Sequence, residues 1–149
     1  MTAAPGDALT VGVLGLHSSK ETKAILNAVE ALGYGAEWIR RENTAVSIAD
    51  GELTVGPAID VVANRLLLST SSHPADELGL ARLFDQLYPM LNRPAAVTTA
   101  MHKFATAAAL ADAGVSVPDA LLALSSDRLN SDRERFGEQG VYKTAIGTH

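Results

Sequence analysis

The chain has 149 residues, enough for one compact domain or one and a half small ones. Its 47% apolar and 19% charged residues, with a net charge of −5, suit a folded α/β protein; they argue against disorder and against broad attraction to nucleic acid or an anionic membrane. There is no cysteine, which excludes disulfides, zinc-thiolate sites and thiol nucleophiles.

Residues 1–8 read as a loose tail with no basic region leading into an apolar run, so they are not a signal peptide. No apolar stretch approaches the roughly 20 residues that span a bilayer, and a cytoplasmic location is expected. The run Leu9–Leu16, LTVGVLGL, is continuously apolar and rich in β-branched residues, the pattern of a central strand buried on both faces. A helix is expected to follow, with Ser18 and Glu21 at capping-box spacing. Its apolar face carries Ile25, Val29 and Leu32, and Gly33 and Gly35 end it. A second strand, AEWIR, completes a βα unit of a parallel sheet.

In AVSIADGELTV two alternating runs flank Asp50-Gly51, which predicts a β-hairpin inserted beside the sheet. Asp60–Leu68 reads as another buried strand. A helix then starts near Pro74 and presents Leu80, Leu83, Phe84, Leu87 and Leu91 on one face. The character changes after Asn92-Arg93-Pro94. An alanine-rich helix ending at Gly114 is expected, then a turn and a strand in VSVPDALLALS, a polar helix in SSDRLNSDRERFGEQ, and a last strand at Val141–Thr144.

Basic groups are scarce, with only four lysines: Lys20, Lys23, Lys103 and Lys143. From the residues alone, Lys143 suits a solubilising edge-strand lysine. Lys103 suits a surface residue early in a helix, where the helix dipole slightly disfavours a cation. Arg65 stands at a strand end, where open α/β sheets take their ligands, although an arginine capping a strand end is also common. The loop His17–Ser19 leads into a helix N-terminus and either faces a ligand or is a plain capping loop. Gly12 and Gly15 lack the third glycine of a dinucleotide fingerprint. His73 and His102 have no metal-ligand spacing and read as surface residues.

The stretch NRPAAVTTAMHKFATAAALADAGVSVPDALLALS, followed at a distance by GVYKTAIGTH, resembles the entry to the ATP-binding region of ATP-grasp ligases, and within them the RimK-like amino-acid ligases. The pattern is carried by Asn92, Lys103, the run Ala113–Pro118, Lys143 and Gly147, with Arg65 in DVVANR upstream. His102 stands where the family often has an acidic residue, and Ala120 where it often has threonine. The resemblance covers almost the whole chain. It implies a preATP-grasp (Rossmann-like) wound parallel sheet over residues 9–98, and the start of an ATP-grasp α+β subdomain over 99–149.

The resemblance further implies a ligase that activates a carboxylate with ATP and Mg2+ as an acylphosphate and joins it to an amine. An amino acid such as glutamate would be added to a protein or coenzyme acceptor. Lys103, Lys143, Gly147, Thr148 and His149 would hold ATP, and Arg65, His17 and Ser18 would face the carboxylate substrate. The catalytic residues are not assigned, and the metal ligands are expected beyond residue 149. By itself the 149-residue chain is expected to be inactive. The alternative is a complete non-catalytic module, regulatory or subunit-binding, which would cover its last apolar face by forming a homo-oligomer. A stand-alone flavodoxin-like domain is a third reading, disfavoured by the hairpin and by the second βαβ-like piece.

Overall fold

Thr10–Leu14 forms β1, and a close approach on its inner face requires the glycine within it. A Cβ at Gly12 would lie 2.6 Å from Ile39 Cδ1 and 3.0 Å from two methyl carbons of Ile59. The computed structural model describes residues 9–68, 71–136 and 140–146. Contacts divide the chain into two units, Met1–Pro94 and Ala95–His149.

In the first unit β1 pairs in parallel with β2 (Gly35–Ile39) on one side and β5 (Val61–Asn64) on the other. Val13 stands beside Trp38 and Ala63 in register. β6, only Met90–Leu91, adds in parallel to β5, giving the order β2-β1-β5-β6. Val13 and Leu14 are both fully buried although successive strand residues point to opposite faces, so β1 is covered on both sides as its apolar run implied. Leu14, Ile39, Ile59, Val62, Leu66, Ala81 and Phe84 form the core cluster.

Helix α1 (Lys20–Ala31) joins β1 to β2. Its N-cap is Ser19, one residue later than the expected Ser18: the Ser19 hydroxyl accepts from the Thr22 amide at 3.1 Å. Thr22 is buried and its own hydroxyl lies 3.1 Å from that of Ser19, which a solvent-facing Glu21 cannot match. Gly33, at φ +83°, ends the helix. Leu32 is the C-cap and is 74% exposed, outside the apolar face assigned to it.

The hairpin is as expected. β3 (Ala45–Ala49) and β4 (Glu52–Gly56) are antiparallel, and Asp50 and Gly51 both have positive φ, the geometry this dipeptide favours. β5 is shorter than the nine-residue strand expected, and the chain leaves the sheet at Arg65. Helix α2 (Pro74–Leu87) has its proline in the first turn. Its buried stripe is Glu77, Ala81 and Phe84, whereas Leu87 is 40% exposed and Leu91 belongs to β6.

The second unit has helices α3 (Pro94–Met101), α4 (Lys103–Asp112) and α5 (Ser126–Asp132), with a 3-10 turn at Arg133–Phe136. The single alanine-rich helix expected is therefore two. The break is His102, whose Nδ1 accepts from the Ala105 amide and caps α4. The strands expected in VSVPDALLALS and at Val141–Thr144 do not form; among the described residues the nearest to a ladder is an isolated bridge between His102 and Ile146. An apolar run makes a strand only where a partner offers hydrogen bonds. Pro94, at the start of α3, is buried, and no described residue from Ala95 onward is. No helix among the described residues is long and apolar enough to cross a membrane.

Candidate functional site

The sheet order places a topological switch between β1 and β5, because the chain leaves β1 toward β2 on one side and returns to β5 on the other. Open α/β sheets take ligands outside the carboxyl ends of the strands at such a point. A cleft of about 240 Å3 lies there, lined by Leu16, His17, Ser19, Glu21, Thr22, Arg65, Leu66, Leu67 and Glu77. The structure thus brings His17 and Arg65 to one cleft from the ends of two neighbouring strands. Ser18 is exposed and does not line it, and Ser19 does.

The position of Arg65 is set by the residue before it. Asn64 is buried, and its Oδ1 accepts from the Leu66 amide at 3.0 Å, turning the chain just past β5. The Arg65 amide donates to Leu14 O at 2.8 Å, so the last ladder bond is made where the side chain leaves the sheet. Arg65 itself is exposed, and among the described residues no salt bridge engages its guanidinium. Glu21 faces it from the first turn of α1. The carboxyl of Glu21 is held below its ordinary range, first by its own backbone amide, next by the Ser19 side chain, and also by the field of Arg65.

A second, larger cleft of about 520 Å3 is lined by Leu16, Arg41, Thr44, Val46, His73, Asp76, Glu77 and Leu80. Glu77 lines both clefts. Its side chain is 5% exposed and its Oε1 accepts from Arg41 Nη2, so the buried carboxylate is charge-paired. Sequence reasoning gave Arg41, Glu21 and Glu77 no role in a cleft. A signal for Glu77 existed: positions 77, 80, 81 and 84 share one helical face, so an acid there sits in the apolar stripe.

In the second unit Lys103 is the first residue of α4. Its Nζ donates to Thr144 O at 2.8 Å and its amide to Ala145 O at 2.8 Å. The head of α4 therefore holds the segment that carries Lys143, and Lys143 is exposed on that segment. Gly147, Thr148 and His149 lie outside the described residues. Among the described residues there is no group of three or more His, Asp or Glu side chains that could hold a metal ion.

No protein-family profile and no curated protein sequence matches the chain. Solved structures do match. A RimK-domain ATP-grasp protein from Sphaerobacter thermophilus superposes with a TM-score of 0.62 at 16% identity, over 87% of this chain and 46% of that one. The ATP-grasp ligase PsnB, complexed with precursor peptide PsnA2 and AMPPNP, superposes with a TM-score of 0.59 at 16% identity, over 99% of this chain and 60% of that one. PsnB with a minimal precursor, Mg and ADP gives 0.57 at 16% identity, over 92% and 57%. The chain spans about half the length of the structures it matches. Its fold is that of the N-terminal portion of ATP-grasp ligases: a parallel sheet with a separate antiparallel hairpin.

Proposed function

We propose that the chain is the N-terminal part of an ATP-dependent carboxylate–amine ligase that adds an amino acid, such as glutamate, to a protein or coenzyme acceptor. The observation that carries this reading is the structural likeness to ATP-grasp proteins over 87% and 99% of the chain. In such a reaction ATP supplies the phosphoryl group that turns a carboxylate into an acylphosphate, and attack by an amine then forms the amide and releases phosphate. Residues 9–98 would be the preATP-grasp domain and residues 99–149 the start of the ATP-binding domain.

Within this reading Lys143 binds nucleotide phosphate. Its exposure leaves the ammonium accessible to an anion, and cations around a transferring phosphoryl group stabilise the charge that spreads over its oxygens. Lys103 acts with it, both as a second cation and by holding the Thr144–Ala145 backbone next to Lys143. Gly147, Thr148 and His149 would continue into the phosphate-covering loop. Arg65 and His17, with Ser18 beside them, would receive the carboxylate substrate at the switch-point cleft. The reading assigns no residue of this chain to Mg2+, whose ligands would follow residue 149, and it expects the 149-residue chain to have no ligase activity by itself.

A non-catalytic module remains the second reading. The favouring observation is that the Lys103 ammonium already donates to Thr144 O, which is a structural task. One variant separates the two. In the ligase that contains this chain, Lys143→Ala lowers affinity for AMPPNP about tenfold or more, the loss of roughly one charge-assisted hydrogen bond, with unchanged circular dichroism. Unchanged affinity contradicts the nucleotide role and leaves the non-catalytic module.

A further inference from the structure

The hairpin has an open edge. β3 pairs with β4 on one side, and among the described residues no strand pairs with it on the other. The turn decides which groups line that edge. Residues flanking a two-residue turn exchange hydrogen bonds, and bonded pairs alternate with non-bonded ones along an antiparallel ladder. Ala49 with Glu52, Ser47 with Thr54 and Ala45 with Gly56 are therefore the bonded pairs, and the amides and carbonyls of Val46 and Ile48 point outward. All five residues of β3 are exposed, and AVSIA contains no charge or proline to blunt an edge. β4 is better protected, because Val55 packs against the core and Pro57 follows the strand. Val46, Ile48, Leu53 and Val55 share one face of the hairpin. Toward the tip this face is uncovered, with Ile48 76% and Leu53 42% exposed.

We infer that β3 is a self-pairing edge: two copies of this chain associate through antiparallel β3 strands about a two-fold axis at Ser47. In that register Val46 of one copy stands opposite Ile48 of the other, so both outward-pointing residues of each strand exchange hydrogen bonds. The same pairs bring branched apolar side chains together on the uncovered face, a stabilising cross-strand arrangement. The neighbouring two-fold registers fit less well. Centring on Val46 puts Ile48 opposite Thr44, whose amide already donates to Arg40 O at 3.0 Å, and leaves the Ile48 carbonyl without its donor. Centring on Ile48 sets the Val46 side chain against the Asp50 carboxylate. Centring on Ser47 instead brings Asp50 to Thr44, and the turn closed by that Thr44 bond carries Arg40. The charges there are complementary. Among the described residues no salt bridge engages Asp50 or Glu52 at the tip, and Arg40 has only a solvent-exposed contact with Glu42 at 3.9 Å, a kind that contributes little. Two five-residue strands bury a small area, so the dimer is weak and concentration-dependent. The pairing holds whether or not the chain is part of a ligase.

The test uses the full chain, which has no cysteine of its own. Ser47→Cys puts one thiol at the two-fold axis, where the Cα atoms of a non-hydrogen-bonded pair lie about 4.5 Å apart, within disulfide range. Under mild oxidation Ser47→Cys is expected to give a disulfide-linked dimer. Thr54→Cys, on the same face but on β4, is expected to give little. Ala45→Cys and Ala49→Cys link to each other when mixed faster than either links to itself. The parent chain shows a monomer–dimer equilibrium in sedimentation, and Ile48→Lys weakens it by about tenfold or more. Ser47, Thr54 and Ile48 are exposed, so unchanged circular dichroism reports an intact fold. Equal linking by Ser47→Cys and Thr54→Cys overturns the inference. So does a parent chain that stays monomeric up to about 1 mM, which leaves the edge to a strand of a different protein.

Discussion

Asn64 and Asn92 each hold the other's main chain. Asn64 Nδ2 donates to Asn92 O at 2.9 Å, and Asn92 Nδ2 donates to Asn64 O at 3.3 Å. The clasp joins the ends of β5 and β6 immediately before Arg65 and anchors the two-residue strand β6, together with Met90 packed against the core. Asn92 also sits at φ +58°, where asparagine is better tolerated than most residues.

Removing the Asn64 side chain breaks the clasp and also strands the buried Leu66 amide, which donates to Asn64 Oδ1. Asn64→Ala is expected to lower stability by about 1–3 kcal/mol in denaturant titration. Asn92→Gly should cost less than Asn92→Ala, because glycine accepts positive φ without strain. An Asn64→Ala protein as stable as the parent would show that the clasp contributes nothing.

The Arg41–Glu77 pair joins β2's exit to α2 and leaves Glu77 almost wholly inside. Arg41→Met strands a buried carboxylate and is expected to cost about 1–3 kcal/mol, below the full cost for a buried pair because Arg41 is partly solvated. Arg41→Met with Glu77→Leu should recover most of that loss, since an apolar pair of similar volume replaces the ions. Failure of the double variant to recover stability would mean that packing, and not charge, is what Arg41 supplies.

Gly12 is the tightest contact along β1. Gly12→Ala forces a methyl group to within 2.6 Å of Ile39 Cδ1 and is expected to destabilise by about 1–3 kcal/mol through overpacking. Gly12→Ala with Ile39→Val, which removes that methyl carbon, should restore part of the loss. No recovery would place the clash with Ile59 in control.

The two units differ in how much they bury. Hydrogen exchange is expected to protect the amides of β1, β2 and β5 most strongly, while those of α3 to α5 exchange much faster, because no described residue from Ala95 onward is buried. Leu124 at 96% exposure and Val141 at 82% mark the same deficit. Equal protection in both units would contradict it.

Local chemistry made much of the first unit legible. The β-branched run at Leu9–Leu16 gave β1, Asp50-Gly51 gave the hairpin turn, and Pro74 gave the start of α2. The ends of β1 and β5 could be read as ligand-facing, and His17 and Arg65 do line one cleft. What was not legible depends on partners distant in sequence. β6 exists because Val62 and Ala63 receive Met90 and Leu91, which no local pattern reports. The strands expected in VSVPDALLALS and at Val141–Thr144 fail for the converse reason, with apolar residues but no described ladder beside them. His102 broke a helix by capping with an imidazole, outside the usual capping set, and two adjacent serines left the cap of α1 open to a one-residue error.

The central claim, that this chain is the N-terminal part of a ligase, is tested most directly by reading the coding sequence past codon 149. The account expects an open frame continuing into a glycine-rich loop and then a cluster of Glu, Asp and Asn able to hold Mg2+. A stop codon directly after His149 would contradict it and leave a binding or regulatory module.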